Sequence, residues 1–352
     1  MKKKYAQSKN EPTHAVVARV IRQRILDSKW LPGKSVPTHK ELLKAFGVGD
    51  LTIRKAVATL VSDGFLTSTK RKGTYVTDTP PNLTHIGVVF PHSLASRSHW
   101  SPFYSALADE AENLAQSSPY RASLYERTES SLALDAEAGK FAGLIFTSPP
   151  YGLADSPALA NPRIPRIAIM AQQQITGIPG IIWFDFRSFT EKAVEFLSVH
   201  GRRNIAMLTT VAPGSPDSYA DHFRASLAKR GIEIPSFWIQ QNSPDLRSQI
   251  HLLMHAGQTR RPDALIVTED TLLEQALAGL IAAGVRVPED VEVVTHANFP
   301  STVPCMLPVT RLGYDIRHMF RECIRLIELQ RRRQSVPLVT RIPVVFESEL
   351  GK

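Results

Sequence analysis

The sequence predicts an α/β protein in which a small N-terminal winged helix-turn-helix precedes a larger, two-lobed body of parallel sheets. Three observations predict it. Helical periodicity followed by a pair of short strands fills residues 13–77. Strand–helix–strand units repeat after a double proline, Pro80-Pro81. The net basic excess is N-terminal, within residues 1–80. At 352 residues the chain exceeds one ordinary core and suits two or three compact units.

Val17, Val20, Ile21 and Ile25 fall at i, i+3, i+4 and i+8, which predicts a first helix from about Thr13 to Ser28, stopped by Leu31-Pro32-Gly33. A second begins after Pro37, where Thr38 can accept from the first turn and Glu41, three residues on, completes a capping-box pattern. It stops near Gly47. A third runs from about Asp50 to Asp63, with Ile53, Ala56, Val57 and Leu60 as its buried stripe and Gly64 as its stop. Phe65-Leu66-Thr67 and Thr74-Tyr75-Val76 read as two strands around Lys70-Arg71-Lys72-Gly73, a basic β-wing. The prolines at 80 and 81 interrupt regular hydrogen bonding, so residues 78–84 are expected to link a head (1–77) to a body (85–352).

The body opens with the apolar strand Ile86-Gly87-Val88-Val89-Phe90. Its clearest repeats are a helix from Glu191 to Val199, a strand from Ile205 to Leu208 and a helix from Ser218 to Lys229. A strand from Ala264 to Val267, a helix from Leu272 to Ala283 and a strand from Val291 to Val294 follow. Alternation of this kind builds open parallel sheets, which bind ligands at the carboxyl ends of their strands; two such sheets facing each other make a cleft.

Residues 1–80 hold 16 Lys+Arg against 6 Asp+Glu, a net of +10, which leaves 26 against 27 for the rest. A segment so basic should attract a polyanion, because each cation placed near a phosphate releases condensed counterions. Cys305 and Cys323 are the only cysteines, too few and too isolated for a disulfide framework, and Met1-Lys2-Lys3-Lys4 is followed by no apolar stretch. No run approaches the roughly 18–20 apolar residues needed to span a bilayer. A cytoplasmic protein without membrane contact is expected. The histidines are scattered without metal-ligand spacing and no cofactor motif is present, so neither metal nor cofactor is expected.

Two helices joined by a short turn can set the second in the major groove of DNA. Here Thr52, Arg54 and Lys55 lie off the buried stripe of that helix, leaving a hydroxyl, a guanidinium and an ammonium for base edges and phosphates. Leu31-Pro32, Pro37-Thr38-His39-Lys40-Glu41-Leu42, Val48-Gly49-Asp50-Leu51-Thr52-Ile53-Arg54, Asp63-Gly64 and Gly73-Thr74-Tyr75-Val76 occur in order. This segment resembles the GntR-type winged helix-turn-helix. The resemblance implies DNA contacts from Lys40, Thr52, Arg54 and Gly73, to which the cations Lys55, Lys70, Arg71 and Lys72 add. Where that family usually has Ser-Arg, this chain has Gly49-Asp50, which removes one expected contact and adds a negative charge.

Blocks including Ile86-Gly87-Val88-Val89-Phe90-Pro91, Phe141-Ala142-Gly143-Leu144-Ile145-Phe146, His200-Gly201-Arg202-Arg203-Asn204-Ile205-Ala206 and Gly284-Val285-Arg286-Val287-Pro288-Glu289-Asp290-Val291 resemble the LacI/GalR-type effector domain, which shares its fold with type I periplasmic binding proteins. That resemblance implies effector contacts from strand-end loops: Ser93, Phe103, Thr147, Ser148, Tyr219, Glu269, Asp270, Asn298 and Tyr314, with Trp100 as a further stacking candidate. The Arg and Asp that often hold ligand hydroxyls in sugar-binding relatives are absent near Tyr219 and Ala297, so the ligand does not transfer. The expected whole is a repressor that sets two heads of a homodimer on double-stranded operator DNA, controlled by a small molecule with sugars and related metabolites as candidates. Asp185, Glu269 and Asp270 could suggest acid–base chemistry, but no nucleophile or phosphate-cradling loop accompanies them, so no enzyme is expected. The competing reading is a stand-alone binding receptor, or a small-molecule enzyme, with an incidental basic N-terminus. Arg331-Arg332-Arg333 is expected to be a solvated end after the last helix.

Overall fold

The computed structural model describes residues 12–69, 73–170, 175–210, 218–241 and 243–350. The head consists of α1 (Thr13–Leu26), α2 (His39–Phe46), α3 (Asp50–Ser62) and an antiparallel hairpin of β1 (Leu66–Thr69) and β2 (Gly73–Val76). Thr38 accepts from the Glu41 backbone while the Glu41 carboxylate accepts from Thr38 N at 2.7 Å, the reciprocal cap its spacing predicts. Ile21 and Ile25 of α1, Leu42 of α2, and Ile53, Ala56 and Leu60 of α3 close on Phe65, Leu66 and Val76 of the hairpin. That core fixes the outward face of α3 relative to the wing.

The expected linker contains one short element. Residues 81–84 form a helical turn, α4 (Pro81–Thr84), that runs straight into β3 (His85–Phe90). Pro81 occupies the first helical position, where a missing N–H costs nothing. The chain continues through α5 (Pro102–Ser117), β4 (Arg121–Glu126), α6 (Ser130–Glu137), β5 (Gly143–Phe146), α7 (Pro157–Ala160), β6 (Arg166–Ile169) and β7 (Gly180–Phe184). It crosses to a second sheet along α8 (Phe186–Val199) and lays down β8 (Ile205–Thr209), α9 (Tyr219–Ala228), β9 (Ile239–Gln241), α10 (Leu246–Met254) and β10 (Ala264–Val267). Then come α11 (Leu273–Ala282), β11 (Glu292–Phe299), β12 (Thr310–Asp315), α12 (Ile316–Arg331), β13 (Val339–Ile342) and β14 (Val344–Phe346).

The first sheet has the order β13-β7-β6-β5-β3-β4 and is parallel throughout. The second, β14-β12-β11-β10-β8-β9, is parallel except for the edge strand β14. Strands β5 and β10 read as apolar runs and are buried along their whole length, as parallel sheets covered on both faces require, whereas β11 carries buried polar residues. Helix α12 leaves the second sheet and packs over the first, where Ile327 reaches Gly143 of β5. Its end also corrects the sequence expectation: Arg331 belongs to the helix and donates from Nη1 to the Leu83 carbonyl at 2.8 Å.

Head and body touch at charged points. Asp63, the residue after α3, receives Arg22 Nη2 of α1 at 2.5 Å and Lys140 Nζ of the body at 2.8 Å. Asp27 at the end of α1 pairs with Arg163 at 3.2 Å. No helix among the described residues is long and apolar enough to cross a membrane.

Candidate functional site

On the head, a groove of about 1140 Å³ runs between α2, α3 and the hairpin, with His39, Arg54, Ser68, Gly73 and Thr74 among its walls. Lys40, Arg54 and Lys55 are exposed and Thr52 is half-buried, and of the four Arg54 lines the groove. Lys70, Arg71 and Lys72 lie outside the described residues. Gly73 opens β2 at φ +109°, a backbone region that side chains avoid, and it leaves the groove wall without a Cβ.

The departure at position 50 has a structural consequence that the sequence reading did not foresee. Asp50 Oδ2 accepts from Arg54 Nε at 2.7 Å, one helical turn along, and Asp50 Oδ1 lies 2.7 Å from His39 Nε2. The His39 contact, offset by slight desolvation and followed by the charge of Arg54, holds the Asp50 carboxyl below its ordinary value. The acidic residue therefore clasps the guanidinium expected to meet DNA. His39 was missed because only the three-dimensional turn brings residues 39 and 50 together.

The second site lies where the two sheets of the body meet. Phe184, the last residue of β7, stacks on Tyr314 of β12 with ring centroids 4.2 Å apart and planes 17° from parallel. The carboxyl ends of both sheets thus face one seam. From the first sheet, Phe103 meets Phe184 edge-on at 5.6 Å, which joins two predicted residues, Phe103 and Tyr314, through an unpredicted one. Trp100 stacks on Phe90 at 4.7 Å and donates its indole N–H to the Ser93 carbonyl, while the exposed Ser93 donates its hydroxyl to Glu126. Thr147 is buried and donates to the Val89 carbonyl, with half-buried Ser148 beside it. Tyr219 is packed against Phe186 and Phe189, at 4.5 and 5.5 Å.

From the second sheet come the polar groups. Asn298 Nδ2 donates to Asp270 Oδ2 at 2.7 Å, and both residues are buried. Thr210 donates to Glu269 at 3.4 Å. His296, in β11 and absent from the sequence-level candidates, sits with its ring 5.7 Å from that of Tyr314 and its Nδ1 4.0 Å from Asp270 Oδ2. Burial, reinforced by the charge of Asp270, pushes the Glu269 carboxyl up to about 7. Burial also raises Asp270 and lowers His296 to about 4, so the imidazole is neutral. Asp185, by contrast, accepts from Ser188 N and caps α8. The seam offers ring faces from one sheet and a carboxylate–amide–imidazole group from the other, and Ala297 between His296 and Asn298 adds no polar group.

Comparison with known proteins divides along the same line. Residues 13–76 match bacterial regulatory proteins of the gntR family, and residues 194–345 match the periplasmic binding protein-like domain. The chain is 38% identical over 68 residues to the probable fructoselysine utilization operon transcriptional repressor of Escherichia coli K12. That match covers 18% of this chain and 28% of the relative's length. It is 21% identical over 354 residues to the arabinose metabolism transcriptional repressor of Halalkalibacterium halodurans, covering 92% of each chain. Among solved structures, a LacI family transcriptional regulator from Arthrobacter sp. FB24 in complex with lactose superposes with a TM-score of 0.57 at 18% identity, over 75% of this chain and 98% of that one. At that identity the likeness describes the fold of the body.

Proposed function

We propose, from the premise that a gntR-type winged helix and a periplasmic-binding-protein-like body share this chain, that the protein is a DNA-binding transcriptional repressor controlled by a small molecule. The observation that carries the reading is the pairing of a head, in a stretch of net charge +10 over residues 1–80, whose recognition helix and wing border an open groove, with a two-sheet body whose strand ends converge on a seam. The repressor names of two relatives and the lactose held by the similar structure support a carbohydrate or related metabolite as effector. Lys40, Thr52, Arg54, Lys55 and Gly73 meet the operator, and the cations Lys70, Arg71 and Lys72 add to its attraction. The effector lies against Phe103, Tyr314, Glu269, Asp270 and Asn298.

A homodimer joined through its bodies sets two heads on a pseudo-palindromic site in the cytoplasm, and the effector alters their spacing. It does so only by binding the two arrangements unequally. The chemistry at the seam is recognition, not turnover. The test is a titration of the full chain against fluorescent duplex DNA across a salt series, with a thermal-shift screen of sugars alongside. A regulator's log affinity falls steeply with log salt, and at least one sugar raises the melting temperature. A chain with no duplex affinity even in dilute buffer is a receptor or an enzyme instead.

A further inference from the structure

Glu269, Asp270 and His296 each bring one metal-capable atom to within 4.8 Å of the other two, although the histidine lies 26 residues from Asp270 along the chain. His296 is 7% exposed, and its Nδ1 has no hydrogen-bond partner among the described residues. Its 4.0 Å to Asp270 Oδ2 is too long for a hydrogen bond. It is a separation that two ligands of one ion can have, since atoms at about 2.1 Å from a shared centre lie at most about 4.2 Å apart. Glu269, the half-buried member, completes the set within that 4.8 Å spread.

The surroundings argue against a salt bridge in place of an ion. No lysine or arginine among the described residues pairs with either carboxylate. The stretch 211–217 between β8 and α9 contains none either. Asn298 Nδ2 orients Asp270 at 2.7 Å, and Thr210 reaches Glu269, as outer-shell donors orient carboxylate ligands. A neutral imidazole and two carboxylates suit borderline first-row divalent ions better than soft or purely hard ones.

We propose that Glu269, Asp270 and His296 hold a divalent transition-metal cation of the zinc, cobalt or nickel kind at the seam between the two sheets. Three protein ligands leave coordination positions toward the Glu269 side, where a hydroxyl or carboxylate of an effector can enter. That consequence rests on the seam being the effector site; the ion's binding does not.

The test uses the full chain, stripped with a chelator and dialysed. Cobalt is titrated by visible absorption, and zinc and nickel by calorimetry. One equivalent binds, cobalt gives the d–d bands of nitrogen and oxygen ligation, and Asn298→Ala weakens binding about 10- to 100-fold. His296→Phe, which keeps a ring against Tyr314 and Phe189, abolishes it, and so does Glu269→Gln, whose half-exposed position spares the core; both variants are checked by circular dichroism. Absence of binding by all three ions, or binding unchanged in both variants, overturns the site. Duplex affinity is measured on the same samples: DNA binding without metal binding sinks the ion alone, and metal binding without DNA binding sinks the repressor reading alone.

Discussion

Asp50→Asn removes the carboxylate that clasps Arg54 Nε at 2.7 Å and lies 2.7 Å from His39, and it keeps the size of the side chain. Arg54 and Asp50 are both largely exposed, at 71% and 54% of their side chains, so the pair contributes little to the fold and the substitution acts on DNA binding. Freeing one guanidinium for one phosphate should steepen the slope of log affinity against log salt by about 0.9. Between about 50 and about 200 mM salt that adds a loss of about 3.5-fold over the parent, with a matching gain in affinity at the dilute end. Fluorescence anisotropy on a duplex of mixed sequence reads both quantities. Arg54→Ala in the Asp50→Asn background should return the slope to the parent value, since the freed group is gone. A slope and affinity that do not move in Asp50→Asn, with the melting temperature also unchanged, would show that Asp50 does not restrain Arg54 in solution.

Other outcomes follow from the body. Glu292 is nearly buried and takes His200 Nδ1 at 2.6 Å and Arg202 Nε at 3.3 Å; Glu292→Gln should cost about 1–3 kcal/mol in urea unfolding, because two donors lose an ionised acceptor. A melt identical to the parent's would place both pairs among those with no net worth. Cys323 is fully buried and its thiol is pushed well above its usual value by burial, whereas Cys305 is half-buried. A thiol reagent should therefore modify Cys305 in the native chain and reach Cys323 only in denaturant, and equal native labelling would contradict the packing of α12.

The head was legible in the sequence because its signals are local: a helical stripe, a capping box three residues wide and a glycine stop all act within one turn of their effect. The body was legible where strands are apolar and helices amphipathic, and less so where polar residues are buried by distant partners. Strand β11 is expected to stop at Val294 but continues to Phe299, since Thr295, His296 and Asn298 are covered by residues of other elements. Helix α8 starts at Phe186 rather than Glu191, because Phe186 and Phe189 turn inward against Tyr219 and mask the expected polar start. Resemblance supplied Glu269, Asp270 and Asn298. It could not supply His39 or His296, whose roles arise only when chain segments 11 and 26 residues away fold against them.

Gly313 lies opposite Ala297 in the β11–β12 register, and a Cβ built there would collide with the Ala297 carbonyl oxygen. The two backbones that carry His296, Asn298 and Tyr314 are in this way pressed together.

The strands at the far end of the chain, β13 and β14, are split between the two sheets, one joining β7 and the other β12. Each sheet gains an edge strand only from residue 339 onward, whereas the described strands of the head, β1 and β2, pair within residues 66–76. During synthesis the winged head can therefore close its own core before either sheet of the body acquires its final edge.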